Sequence, residues 1–263
     1  MAPPERKGAT RAADIPAGVL DALSRGTLPT ATLAECLVLD QAKLLRSVFP
    51  GLPPALHAAA EDACRLGILK RMERIGALLL QALGSPGIGT CRVHPADTVR
   101  GWACFMVGAQ PGLDLPTRLA AIRPLADDAH FGVREWAWMA VRPHLARQLP
   151  EAVALLAAWT DAPSERLRRF ASEALRPRGV WCAHIADLKS RPDTALPLLV
   201  PLRADPSAYV QDSVANWLND AAKDRPDWVR ALCAQWLQDG GCAATQRICQ
   251  RAQRSLQPGA GRR

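Results

Sequence analysis

The sequence lacks any long apolar run: no uninterrupted stretch reaches the roughly 18 residues that a membrane-spanning helix needs. It has no convincing alternation of apolar and polar residues and no Asn-Gly hairpin signal. Its first residues, MAPPERKGATRAAD, contain no apolar core of the kind found in a secretory signal. These absences argue against a membrane span, a β-rich fold and secretion, and we expect a cytoplasmic protein.

Zinc sites and disulfides are also poorly supported. The chain has eight cysteines and five histidines, but no two cysteines are spaced as C-x-x-C. Cys182 and His184 lie two positions apart, and no second pair accompanies them. Most of the cysteines lie in apolar helical stretches, as buried free thiols do. We therefore expect reduced cysteines and no metal site.

Basic residues dominate the charge. Lys and Arg outnumber Asp and Glu by 33 to 25, so the formal net charge is +8. A charge of that sign attracts phosphate polymers and acidic surfaces, but it does not by itself establish nucleic-acid binding. With 263 residues, 49% of them apolar, the chain can bury a substantial core. We predict a disordered lead-in over 1–14, one folded domain over 15–250 and a basic tail over 251–263.

The apolar pattern is helical almost throughout, and four segments repeat. They are DTVRGWACF, FGVREWAWM, ERLRRFASE and AYVQDSVAN, with apolar anchors at Val99, Val133, Leu167 and Val210, spaced by 34, 34 and 43 residues. In the first three, an arginine follows the anchor, and an aromatic residue and an alanine come three and four positions after it. Each segment follows a helical stretch that ends in an Asp-containing turn, which is typical of HEAT-like repeats. The sequence therefore predicts an all-α, HEAT-like solenoid with a concave groove, a scaffold that does not by itself fix the function.

Two finer predictions concern the first part of the chain. The apolar spacing over 55–83 predicts one long helix or two short ones. The segment SPGIGTCRVHP (85–95) is rich in helix breakers and predicts a loop.

The repeats also predict which side chains avoid the core. Anchor, aromatic and alanine share one helix face, and the residue two after the anchor points away from it. In the second repeat that residue is Glu135, which shares a stripe with Trp138, Met139 and Arg142. A tryptophan on the polar side of a helix indicates either contact with a neighbouring repeat or a ligand.

Two further polar segments are candidates for a site. From Glu165 to Arg178 there are five arginines against two glutamates, followed by Trp181. Arginines beside an exposed ring suit phosphate contact and stacking on a base, although ion pairs within the solenoid would give the same pattern. The fourth repeat has a polar stripe formed by Asp212, Asn216, Asp220 and Lys223.

These residues suggest a chemistry. A carboxylate near DNA phosphates is unfavourable unless it meets a cation. Glycosidic cleavage passes through an oxocarbenium-like state that a carboxylate stabilises, and a methylated base is itself cationic and leaves easily. Glu135 would then face positive charge on the sugar or the base.

At these motifs the sequence resembles the AlkC branch of the alkylation-repair DNA glycosylases, relatives of AlkD. The resemblance rests on HPADTVRGWACF (94–105), FGVREWAW (131–138), RRFASEALRPRGVW (168–181) and YVQDSVANWLNDAAKDRP (209–226), and it extends over roughly 15–240. It implies removal of cationic N-alkylated bases, 3-methyladenine and 3-methylcytosine, from double-stranded DNA without a metal or nucleotide cofactor. It also implies that Glu135 and Asp220 are the catalytic carboxylates. Asp212 occupies the position of Glu135 in its own repeat and is an alternative second acid, and we expect a monomer because the sequence shows no extra apolar seam.

The resemblance further implies that Trp181 contacts the lesion and that Arg169 supports the site or contacts the backbone. With Trp138 of the Glu135 stripe, these residues form the predicted lesion-binding set. Contacts to the DNA backbone are expected from Arg134, Arg166, Arg168, Arg176, Arg178 and Lys223. Two other interpretations stay open from the sequence: a non-catalytic DNA-binding HEAT protein, and a protein-binding scaffold whose basic surface is incidental.

Overall fold

A computed structural model describes residues 6–256, and within that range the chain is all-α, without a β-strand. The helices are α1 (Ala17–Arg25), α2 (Leu33–Val38), α3 (Gln41–Val48), α4 (Pro54–Ala63), α5 (Ile68–Leu83), α6 (Pro86–Arg92), α7 (Asp97–Ala109), α8 (Leu115–Ala126), α9 (Phe131–Arg147), α10 (Leu149–Ala157), α11 (Glu165–Glu173), α12 (Ala186–Ser190), α13 (Leu196–Leu202), α14 (Ala208–Ala222), α15 (Pro226–Gln238) and α16 (Ala243–Ala252). Short 3₁₀ turns cover Ala12–Asp14, Pro192–Ala195 and Arg254–Leu256. No helix in the described range is long and apolar enough to cross a membrane.

The contacts group the chain into two compact units. The first consists of Met1–Leu113 and Asp128–Ala140, and the second of Asp114–Asp127 and Val141–Arg263. In the first unit α5 and α6 pack against α7, and in the second α14 packs against α11, α15 and α16.

Side-chain caps explain where several helices begin. The Asp40 carboxylate accepts the Lys43 N–H at the start of α3, and the Asp114 carboxylate accepts the Thr117 N–H at the start of α8. The Ser164 hydroxyl accepts the Arg166 N–H at the start of α11, and the Ser207 hydroxyl accepts the Tyr209 N–H at the start of α14. Each cap satisfies a backbone donor that the first helical turn leaves without an intrahelical partner, and each contributes about 1 kcal/mol.

The predicted buried faces of the repeats are confirmed. Anchor, aromatic and alanine are all buried in α7, α9 and α11; for example, Val133, Trp136 and Ala137 expose 0, 5 and 0% of their surface. In α14 the aromatic position holds Ser213, which is also buried.

The arginines that follow the anchors of the first three repeats make the same structural contact. Arg100 and Arg168 each donate from NH1 to two carbonyls in the preceding turn, five and six residues back, at 2.9 to 3.0 Å. Both also form two-pronged ion pairs, Arg100 with Asp128 and Arg168 with Asp205. Arg134 donates to the equivalent carbonyls of Asp128 and Ala129. The arginine after the anchor therefore ties α7, α9 and α11 each to the turn before it.

The two predictions for residues 55–83 and 85–95 have different outcomes. The segment 55–83 forms two helices, α4 and α5, as one of the predicted alternatives. The loop predicted over 85–95 is wrong, because α6 covers Pro86–Arg92. Proline at the first helical position does not interrupt a helix. At Gly87 a Cβ would overlap the Leu83 side chain, so this glycine permits close packing.

The predicted polar stripe of α9 also needs correction. All seven residues from 136 to 142 are buried, including Trp138, Met139 and Arg142. A helix with one buried face cannot bury seven consecutive residues, so α9 is enclosed on several sides over this stretch.

Residues near both limits of the described range 6–256 make defined contacts. Arg6, inside the predicted lead-in 1–14, pairs with the buried Glu35 at 2.5 Å. At the other end, α16 packs on α14. Residues 1–5 and 257–263, the remainder of the predicted lead-in and most of the predicted tail, lie outside the described residues.

Candidate functional site

A loop between α11 and α12 displays the most unusual backbone in the described chain. It runs over 174–185 and is called the Trp181 loop below. Trp181 has φ of 61°, the left-handed region, and within 6–256 it is the one non-glycine residue there. Its indole is 47% exposed. A bulky residue in this region is a genuine outlier, and such strain is found where the surrounding structure enforces it for a function.

The Trp181 loop is tied down at its base. The Ile185 N–H donates to the Pro177 carbonyl at 3.0 Å, which brings the two ends of the loop together. Gly179 has no room for a side chain, because a Cβ would overlap the Cys182 Sγ. The sequence RPRGVW therefore encodes a tight loop with an exposed indole.

A buried cluster of charges lies next to this loop, between α11 and α14. Arg176 pairs with Glu173 at 2.8 Å and with Asp220 at 2.8 Å. Arg169 lies 3.6 Å from Glu173, and the Ser213 hydroxyl donates to the same carboxylate at 2.6 Å. This cluster joins three of the predicted site residues, Arg169, Arg176 and Asp220, through an acid that the sequence had not singled out.

The charges in the cluster stabilise each other. Burial by itself raises the pKa of Glu173, but Arg169, Arg176 and the Ser213 hydroxyl outweigh it and hold the pKa below its usual range. Burial lowers the pKa of Arg176, but Glu173 and Asp220 outweigh it and raise the pKa above its usual value. Glu173 and Arg176 are therefore both ionised at neutral pH.

The two candidates for the second acid differ in environment. Asp220 is buried, 5% exposed, and besides Arg176 it has Lys223 at 3.6 Å. The Asp212 side chain is 40% exposed and pairs with Arg247 at 2.7 Å and Arg251 at 3.0 Å, both on α16. The predicted polar stripe of α14 is thus covered in part by arginines of α16.

Glu135 lies in the other unit, near the start of α9. Its Oε2 accepts the Trp138 indole N–H at 2.8 Å. Because Trp138 is only 1% exposed, this bond fixes the direction of the carboxylate. The pair explains why a buried tryptophan is acceptable on this face, since its N–H has a partner.

Of the six predicted DNA-binding side chains, Arg134 donates to two carbonyls before α9, and the other five fall into two groups. Arg168 and Arg176 are already engaged in the buried ion pairs described above. Arg166, Arg178 and Lys223 are more exposed, with 37, 26 and 47% of their side-chain surface accessible. Arg178 holds Asp224 with two nitrogens, and Arg166 donates to the Asp127 carbonyl at 3.0 Å. The Arg169 guanidinium stacks on the Tyr209 ring at 4.5 Å.

The structure within 6–256 contains no group of three or more His, Cys, Asp or Glu side chains arranged to hold a metal ion.

Comparison with solved structures identifies the architecture. The alkylpurine DNA glycosylase AlkC of Pseudomonas fluorescens, solved bound to DNA containing an abasic site analog, superposes with a TM-score of 0.67 and 27% identity, covering 82% of this chain and 60% of AlkC. The chain has an AlkC-like fold. AlkD2 from Streptococcus mutans and smu.31 from Streptococcus mutans UA159 share the same fold, with TM-scores of 0.53 and 0.52, at 20% and 21% identity, each match covering 81% of this chain and 96% of the other.

Similarity at the level of sequence covers a smaller part of the chain. The uncharacterized protein YhaZ of Bacillus subtilis (strain 168) is 40% identical over 116 residues, which are 44% of this chain and 32% of YhaZ. No protein-family model matches the chain. The chain therefore spans about a third of YhaZ and 60% of AlkC.

Within the AlkC-like fold, sequence reasoning missed the importance of Glu173 and Ser213. One signal for Ser213 was present: the first three repeats have an aromatic residue three positions after the anchor, and the fourth has this serine instead. A polar residue at a core position of a repeat needs a hydrogen-bond partner, and the partner is Glu173. For Glu173 a local signal was also present, because Arg169 lies four positions before it and Arg176 three positions after it, whereas its third partner, Ser213, is 40 positions away.

Proposed function

We propose that this chain is a cytoplasmic DNA glycosylase of base excision repair that hydrolyses the N-glycosidic bond of cationic N-alkylated bases, 3-methyladenine or 3-methylcytosine or both. The AlkC-like fold is the observation on which the proposal mainly depends. The net charge of +8 favours a polyanionic substrate. The exposed, strained Trp181 gives the second unit a ring on which a base can stack.

In the proposed reaction the carboxylates meet a positive charge. The bond between the sugar C1′ and the base nitrogen breaks, and its electron pair leaves with the base, which becomes neutral. The sugar becomes oxocarbenium-like, and a nearby carboxylate stabilises it and orients the water that adds to C1′. Strong acid catalysis is not required, because a cationic base is already a good leaving group.

We assign the role nearest the sugar to Glu135. Its Oε2 is oriented by the Trp138 N–H, so the carboxylate is preorganised rather than free to rotate. Asp220 is the second proposed acid, and its charge is shared with Arg176 and Lys223. Asp212, the alternative, is more exposed and lies between two arginines of α16.

The remaining assignments concern binding. Trp181 and Arg169 are proposed to contact the lesion or its surroundings, whereas Trp138, which is 1% exposed, is proposed to support the site through its hydrogen bond to Glu135. Arg168 and Arg176, which the sequence also suggested as backbone contacts, are held in ion pairs with Asp205 and with Glu173 and Asp220, and we assign them a structural role. The proposed backbone contacts come from the other predicted residues, which are Arg134, Arg166, Arg178 and Lys223. Of these, the more exposed Arg166, Arg178 and Lys223 can reach a phosphate with the least rearrangement.

The direct test is release of free base from a methylated DNA duplex by the purified chain, with the product identified by mass spectrometry. The proposal predicts release of 3-methyladenine or 3-methylcytosine. Salt-sensitive DNA binding without release of any base would instead support a non-catalytic DNA-binding protein. Neither binding at physiological salt nor release would support a protein-binding scaffold. Glu151→Gln, at an exposed position on α10, provides a charge-matched control for later acid variants.

A further inference from the structure

Arg142 is a buried arginine whose hydrogen bonds go to the main chain of the Trp181 loop. It is 2% exposed. Its NH1 donates to the Ala174 carbonyl at 2.8 Å, and its NH2 donates to the Arg176 carbonyl at 2.7 Å. Nε and NH2 also donate to the Ala183 carbonyl, at 3.4 and 3.1 Å. One rigid guanidinium thus holds the loop on both sides of Trp181.

This arrangement is costly for an arginine, which indicates that the geometry matters. Burial lowers the pKa of Arg142, although nearby Glu173 and Asp220 act in the opposite direction. A buried cation without a close carboxylate is stabilised mainly by the carbonyl dipoles that it contacts. A planar fork with five donors can bridge three carbonyls at fixed angles, which a lysine cannot do.

The loop has space for this side chain because position 179 is glycine. A Cβ on Gly179 would come within 3.2 Å of the Arg142 Cζ, as well as overlapping Cys182. The guanidinium therefore packs directly against the turn that precedes Val180 and Trp181. A bulky residue keeps a left-handed backbone only when its surroundings enforce it, and these contacts supply that constraint.

We infer that Arg142 is a positioning residue, which holds the Trp181 loop in the strained conformation that presents the indole to a DNA base. The clamp itself follows from the contacts in the second unit, whereas the ligand rests on the proposed function. Nothing in this inference requires Arg142 to touch DNA.

The clamp can be tested without DNA. Hydrogen exchange is measured on the full-length wild type and on Arg142→Met and Arg142→Lys, following the amides of 176–185, above all the Ile185 amide that donates to the Pro177 carbonyl. Both variants are expected to exchange faster over this loop, at least 10-fold for Arg142→Met, because the bridge between its two sides is lost. Val153→Ala, a core truncation on α10, serves as a control for general destabilisation and should leave these amides close to wild type. Unchanged exchange in folded Arg142→Met would overturn the inference.

A double-mutant cycle tests whether the clamp acts through Trp181. The readout is the preference for a duplex with an abasic-site analogue over an undamaged duplex, measured by fluorescence anisotropy. Trp181→Ala and Arg142→Met are each expected to lower that preference roughly 10-fold, the size of one stacking contact. The double variant should be no worse than the poorer single variant. Losses that multiply to about 100-fold would show that Arg142 does not act through Trp181.

If Arg142→Met does not fold, Gly179→Ala perturbs the same packing from the loop side and should give the same coupling with Trp181→Ala. The two experiments also separate this inference from the proposed function. Faster exchange in the Arg142 variants together with a wild type that has no preference for damaged DNA would leave the clamp intact and count against the glycosylase. Unchanged exchange in the Arg142 variants, together with base release by the wild type, would overturn the clamp and support the glycosylase.

Discussion

Substitution of Trp181 by glycine and by alanine measures the strain that the loop stores. Both variants lose the indole, so their difference reports the backbone alone. At φ of 61° an L-residue pays about 1–2 kcal/mol that glycine does not. Glycine in turn loses about 0.5–1 kcal/mol through the greater freedom of the unfolded chain. We therefore expect Trp181→Gly to be more stable than Trp181→Ala by roughly 0.5–1 kcal/mol.

The neighbouring Val180 is the matched control. It is similarly exposed, at 50%, and its φ is not in the left-handed region. There alanine should be more stable than glycine by about 0.5–1 kcal/mol, so the sign of the difference reverses between adjacent positions. Thermal and urea unfolding of the four variants would detect this, because 1 kcal/mol corresponds to about 2–4 °C in a chain of this size. A Trp181→Ala variant more stable than Trp181→Gly would refute the strain and, with it, the reason to regard this loop as functional.

Two further predictions follow from the charge clusters. Glu173→Gln should destabilise the protein by about 3 kcal/mol at neutral pH, because it leaves Arg169 and Arg176 buried without that partner. Since folding lowers the pKa of Glu173, the stability that this carboxylate contributes is complete above about pH 5 and is lost as the pH falls below about 4.3. The unfolding free energies of wild type and variant, measured in urea, should therefore converge in acid, and a difference that stays constant with pH would contradict the assignment. Arg168→Met should lower the free energy of unfolding by about 3 kcal/mol, because Asp205 is left buried without its ion-pair partner, and it should leave the salt dependence of DNA binding unchanged. Arg166→Met should instead reduce the slope of log K against log salt by about 1. The opposite pattern in anisotropy titrations would make Arg168 the phosphate contact.

The repeats show which parts of this fold a sequence can predict. Anchor, aromatic and alanine positions are determined by helical periodicity, and periodicity is local, so Val133, Trp136 and Ala137 were correctly placed in the core. The helix α6 was missed because its glycine and proline resemble breakers. Proline begins that helix, however, and Gly87 is required by packing against Leu83, which no local pattern shows.

The site was predictable to a smaller degree. The arginine-rich segment and its tryptophan were recognisable, but the partners of each arginine depend on how α11, α14 and the Trp181 loop come together. Arg168 holds Asp205 from 37 residues away, and Arg176 holds Asp220 from 44 residues away. Arg142, interpreted as part of a polar stripe, instead clamps a loop that begins 32 residues later. Such pairings follow from tertiary structure, which spacing along the chain does not determine.

The central claim is that Glu135 takes part in base release. The measurement that tests it most directly is the single-turnover rate of free-base release from methylated duplex DNA, with enzyme in excess, for the wild type, Glu135→Gln and the control Glu151→Gln. The proposal predicts release by the wild type and by Glu151→Gln at similar rates, and a rate roughly 100-fold lower for Glu135→Gln at equal DNA affinity, the size of one lost electrostatic contact in a transition state. Equal rates for all three proteins would remove Glu135 from the chemistry, and no release by the wild type despite intact binding would contradict the glycosylase itself.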